Sequence, residues 1–136
     1  MTRTRHAVTL DDLDRDELLQ LARRHILWRP ADLIWAQWEA ACDRWHVAWD
    51  EYMRLGETTR KAEMASITAT NALAEACRNP ACDGKTLNRL IRASDLACDA
   101  AKQARAREDR ARAKADRIAR RQEALLTQHK EMRGDA

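Results

Sequence analysis

Apolar residues return at steps of three and four along most of this chain. Trp35, Trp38, Cys42, Trp45, Trp49 and Tyr52 alternate those two steps, which sets them along one stripe of a helix. All five tryptophans fall between Trp28 and Trp49. Far along the chain a second stripe takes small residues: Ala97, Ala101, Ala104, Ala111, Ala115, Ile118 and Leu125 keep one heptad frame, interrupted by Glu108 and Gln122. Both patterns predict helix.

Start and stop signals give the boundaries. Residues 1–8 read as disordered. Asp14 can cap a short helix over 14–27, with Glu17 completing a capping box and Leu13 stapling to Leu18. Leu18, Leu21, Ala22 and Ile26 form its apolar side, and Arg23 and Arg24 complement its dipole. Pro30 biases Arg29 away from helical dihedrals and suits the first turn of a long helix over 30–78. Gly56, followed by Glu57, Thr58 and Thr59, is the one interruption. The reading taken is a continuous helix with any kink at residue 56; a true break would make four helices. Asn79-Pro80-Ala81-Cys82-Asp83-Gly84 is the strong turn signal, and residues 85–132 continue as a second long helix.

Two helices of matched length joined by a short turn predict an all-α fold: a long antiparallel, coiled-coil-like hairpin of roughly 70 Å, with the short N-terminal helix packed on its base. With residue 30 opposite 132, paired numbers sum to about 162. Large residues then face small ones, Trp49 and Tyr52 near Ala111 to Ala115, and Trp35, Trp38 and Trp45 near Ile118, Leu125 and Leu126.

Composition agrees with a single helical domain of 136 residues. Phe is absent, there are three glycines and two prolines, and 35% of residues are charged. No apolar run approaches the roughly 20 residues that cross a bilayer, and the start MTRTRHAVTLDDLD lacks the apolar core of a signal peptide. The expectation is a cytoplasmic chain with no membrane partner and with Cys42, Cys77, Cys82 and Cys98 as reduced thiols. Their spacing contains no CxxC pair, so no metal is expected. Residues 30–78 carry eight acidic and five basic side chains, whereas 85–133 carry seven acidic and fourteen basic. Segments of opposite sign suit pairing with each other.

Candidate chemistry is sparse. No two histidines lie at i+3 or i+4, Ser66 and Ser94 sit in no nucleophile elbow, and no glycine-rich phosphate loop occurs. The expectation is a protein without enzymatic activity or cofactor. Trp28, Trp35 and Trp38 are the candidate partner-binding residues, since indoles dominate interface hot spots; the plainer reading of the stripe is core packing. Arg107, Arg110, Lys114, Arg117 and Arg121 form a basic stripe that could track phosphates, although no aromatic residue is interleaved for base stacking. Leu33, Ile34, Ala41, Ala48, Leu55 and Leu73, with Leu87, Leu90 and Ile91, widen the apolar face beyond one partner helix, which predicts a homodimer.

The stretch Asp16 to His25, DELLQLARRH, followed by Pro30-Ala31-Asp32-Leu33 and Trp35-Ala36-Gln37-Trp38-Glu39, is similar to small uncharacterised proteins of proteobacterial phages and prophages. The likeness covers about the first forty residues and carries no site residue with it. It implies an accessory protein that binds a host or phage protein. The expectation is therefore a helical protein–protein interaction module, with nucleic-acid binding by the basic stripe as the alternative.

Overall fold

The computed structural model of the chain describes residues 9–24 and 30–134. The disorder expected at 1–8, the end of the first helix near 27, and Trp28 lie outside the described residues. A 3-10 turn, Leu10–Asp12, leads into three helices, α1 (Arg15–Arg24), α2 (Pro30–Arg78) and α3 (Gly84–Met132). No strand occurs among the described residues, and α2 and α3 pack against each other as a helical hairpin.

The local signals act as their chemistry requires. The Glu17 N–H donates to Asp14 Oδ1 and the Asp14 N–H to Glu17 Oε1, each at 3.0 Å, a reciprocal capping box at the start of α1. α2 runs through Gly56 without a break. A Cβ there would meet only the end of the Glu108 side chain, at 3.4 Å. Asn79 Oδ1 accepts the Ala81 N–H at 3.0 Å, and the Asn79 carbonyl accepts the Cys82 N–H at 3.1 Å. Asp83 caps α3 by accepting the Thr86 N–H at 2.7 Å. Hydrogen bonds from the Thr86 side chain and backbone hold the Asp83 carboxyl below its usual range. Past α3, Gly134 adopts a φ of 75°, where a side chain would be strained, and its N–H donates to the Glu131 carbonyl at 3.1 Å.

The seam is a heptad on both long helices. On α2, residues 34, 38, 41, 45, 48, 52, 55, 59, 62, 66, 69, 73 and 76 are all buried or half-buried. On α3 the same holds for 94, 97, 101, 104, 108, 111, 115, 118, 122, 125, 129 and 132. The small-residue stripe expected on α3 therefore lies inside, and its two polar interruptions stay in frame. The stripe expected on α2 is displaced. Ile34, Ala41 and Ala48 occupy the seam in place of Trp35, Cys42 and Trp49, while Trp38, Trp45 and Tyr52 are shared by both frames. Close approach of two helices selects smaller side chains at alternate seam positions and leaves Trp35, Cys42 and Trp49 on a flank.

The chain divides into two compact units, Met1–Ala48 with Lys114–Ala136, and Trp49–Ala113. In the first unit, α2 is covered on two sides. Ile34, Ala41 and Leu125 form one apolar cluster, with Trp38 and Met132 against it. Leu13, Leu21, Leu33 and Ala36 form the other, with Leu10 against it. The staple expected between Leu13 and Leu18 gives way to this second cluster, because the capping box turns Glu17 inward. Glu17 is only 2% exposed, and Leu18 and Ala22 face outward. Polar contacts pin α1 to its neighbours. Arg44 pairs with Asp14 and, at 3.2 Å, with Asp16; Gln20 Nε2 donates to Asp43 at 2.7 Å; Glu17 meets Arg121 of α3 at 3.5 Å.

In the second unit the seam is small and polar. Thr59, Ser94 and Ala104 are its buried residues. Thr59 Oγ1 donates to the Leu55 carbonyl at 3.0 Å, Ser66 meets Cys98 at 3.1 Å, and Thr70 meets Ser94 at 3.4 Å. Arg105 pairs with Glu63 at the edge.

The register differs from the expected one. Within the first unit Cys42 pairs with Gln122 and Trp35 with His129; within the second Ser66 pairs with Cys98 and Thr70 with Ser94. Each pair of numbers sums to 164, not 162. Turn hydrogen bonds occupy Asn79 to Cys82 directly after α2, so the midpoint of the connection moves from Ala81 to Cys82.

Candidate functional site

The tryptophan flank of α2, within the first unit, is built by the same displacement. Ile34 and Ala41 take seam positions and leave Trp35 on the flank, beside Trp38 and Trp45, which hold the alternate seam positions; all three indoles are half-buried. Trp35 stacks on Trp38 with ring centroids 4.6 Å apart and planes 29° from parallel, and it also meets the His129 ring at 5.0 Å. Its indole N–H donates to Glu39 Oε1 at 3.2 Å, which satisfies the one polar atom that burial would penalise. Trp45 meets the His46 ring edge-on at 5.2 Å. Each of the three half-buried indoles keeps part of its apolar surface toward solvent.

An open groove of about 430 Å³ runs beside them. Trp38, Cys42, Trp45 and His46 of α2 form one wall; Ala119, Gln122, Glu123 and Leu126 of α3 form the other. Gln122 Nε2 donates to Cys42 Sγ at 3.1 Å and closes the floor. Glu123 is the single carboxylate of the lining. The arrangement offers aromatic and aliphatic surface with a few polar handles, the make-up of a protein-contact patch. It offers no set of three or more metal-ligating side chains; none occurs among the described residues.

Of the sequence-predicted partner residues, Trp35 and Trp38 lie together on this flank. Trp45, which the sequence does not single out as a partner residue, lines the same groove as Trp38. On the α3 wall, Leu126 is expected near the tryptophans from the sequence, whereas Ala119, Gln122 and Glu123 follow no chemical motif; the pairing sum of 164 sets Ala119 opposite Trp45 and Gln122 opposite Cys42. The four cysteines are free thiols; Cys77 is exposed and the others are half-buried.

The basic stripe is present as an exposed face, with Arg107, Arg110, Lys114, Arg117 and Arg121 all exposed. Arg121 differs from the rest, since its guanidinium is engaged with the buried Glu17. Among the described residues, no helix is long and apolar enough to cross a membrane. No protein-family model matches the chain, and neither a curated protein nor a solved structure is significantly similar to it.

Proposed function

We propose that this chain is a non-enzymatic helical interaction module that binds a host or phage protein through the Trp35, Trp38 and Trp45 flank. The observation that supports it is the inversion on α2. The bulkiest side chains of the helix stay half-exposed while Leu33, Ile34, Ala36, Ala40 and Ala41 are buried. Trp35 and Trp38, already stacked on each other, lose little side-chain entropy when a partner covers them.

A homodimer is part of this reading. Met53, Met64, Ile67, Ile91 and Leu96 of the second unit are exposed aliphatics on a two-helix seam too polar to attract them. Pairing of two copies would cover them. Sedimentation equilibrium of the 15.6 kDa chain is expected to give twice that mass at micromolar concentration. A single-chain mass without concentration dependence removes the dimer.

The second reading is nucleic-acid binding, favoured by the exposure of Arg107, Arg110, Lys114 and Arg117. Capture from a bacterial lysate at moderate salt, with and without nuclease, separates the two. The protein reading expects a captured protein that survives nuclease and is lost with the Trp38→Ala/Trp45→Ala bait. Capture abolished by nuclease and by Arg110→Glu/Arg117→Glu, but indifferent to the tryptophans, overturns it in favour of phosphate contacts.

A further inference from the structure

The opposite side of α2 carries a second groove within the same unit. At 100° per residue, Ala40, Arg44 and Val47 lie about 180° around the helix from Trp38, Cys42 and Trp45. There the outer side of α1, this face of α2 and the Lys114 to Ile118 turn of α3 enclose about 450 Å³. Leu19 and Val47 are its exposed aliphatic walls, at 47% and 69% exposure. The buried Ala40 and Ala48, with Ile118, form a floor low enough for another helix to approach.

The charges around this groove are unevenly committed. Asp16 is held by Arg44, and Asp43 accepts from Gln20. Arg44 in turn is held by Asp14 and Asp16. Partial burial lowers the affinity of the Arg44 guanidinium for its proton, but those two carboxylates outweigh burial and raise it. Arg23 on the α1 wall and Lys114 on the α3 wall have no carboxylate partner among the described residues. The groove thus offers an aliphatic trough whose α1 and α3 walls each carry one cation with no ion-pair partner among the described residues.

We propose that this groove docks an amphipathic helix of a partner protein, one that presents branched aliphatic side chains to the trough and carboxylates to Arg23 and Lys114. The trough supplies the apolar area, and the paired cations set the charge and the orientation of the guest. A basic or neutral helix of equal hydrophobicity gains the first contribution and not the second. The site is separate from the tryptophan flank and does not depend on what binds there.

The test uses the full chain and two labelled synthetic helices with the same leucine stripe, one flanked by glutamates and one by lysines. Fluorescence anisotropy at low salt is expected to show the glutamate helix binding at least about tenfold tighter than its lysine twin. Val47→Glu, a change at an exposed position, is expected to weaken the glutamate helix by about tenfold or more without altering the melting temperature. Arg23→Glu/Lys114→Glu is expected to reverse the order of the two helices. Trp38→Ala/Trp45→Ala is expected to leave both affinities unchanged, which separates this site from the flank. Equal binding of the two helices, no binding of either, or indifference to Val47→Glu overturns the proposal. So does self-association of the chain that Val47→Glu abolishes, since the occupant is then a second copy.

Discussion

The two compact units are made from the same two helices, yet they solve the burial problem differently. In the first, α1 covers a side of α2 that α3 does not reach, and ten apolar residues from Leu13 to Leu125 are buried. In the second there is no third helix. Its buried set shrinks to Thr59, Ser94 and Ala104, Leu55 and Leu73 are only half-buried, and Met53, Met64, Ile67, Ile91 and Leu96 turn outward. A heptad seam alone hides one narrow stripe of each helix; burying an α-helix's wider apolar face needs a second neighbour. Stability is therefore concentrated where α1 docks, and the second unit relies on helix propensity and small-residue fit.

The sharpest test of that contrast compares two leucines. Leu33→Ala, at a position 3% exposed in the first unit, is expected to cost about 2–5 kcal/mol in urea unfolding. Leu96→Ala, at a position 71% exposed in the second, is expected to fall within about 0.5 kcal/mol of the parent. Equal costs would erase the distinction. A large loss at Leu96 alone would mean that another chain covers it.

Next in size is the α1 cap. Asp14→Ala is expected to cost about 0.5–2 kcal/mol near neutral pH. Partial burial raises the Asp14 carboxyl, but the Glu17 N–H and the Arg44 guanidinium together hold it below its ordinary value of 3.8. A carboxyl lowered by folding stabilises above the unfolded value and loses that contribution as pH falls through the folded one. The gap between parent and variant should accordingly close as urea midpoints are followed down below about pH 4. A gap that persists in acid would show that the cap does not act through its charge.

Much of this was legible in the sequence, for identifiable reasons. Helix limits follow from groups that act locally: Asp14 and Glu17 three residues apart, Pro30, the Asn79 to Gly84 turn. The alanine stripe of α3 was legible because each member is small and unambiguous. The α2 stripe differs from the seam by one residue at Trp35, Cys42 and Trp49, because indoles and alanines both fit helical spacing and only the distance between two helices decides which faces in. The tryptophan flank is a candidate site for that same reason, whereas the groove bounded by α1 leaves no chemical mark. Its members keep helical spacing within each helix but mix charged, small and aliphatic side chains, and they meet only when three helices are assembled.

The smallest effect concerns Gly56. Gly56→Ala is expected to stabilise the chain by about 0.5–1 kcal/mol, from the helix propensity gained. The added methyl meets the flexible end of Glu108 at ordinary contact distance. Thermal unfolding monitored by helicity checks it. Destabilisation would mean that the second unit is packed more tightly than its small, polar seam implies.

Glu17 is asked to accept at both of its oxygens, from the Asp14 N–H at one and from Arg121 at the other, while almost wholly out of water. Few side chains meet that description. Aspartate is one methylene too short to serve both donors. Glutamine keeps the reach but aims an amide hydrogen at a guanidinium. An aliphatic residue suits the burial and strands both partners. Position 17, a charged residue in a ten-residue helix, is thus among the least interchangeable of the chain, and its identity is dictated jointly by a neighbour three residues away and by one 104 residues away.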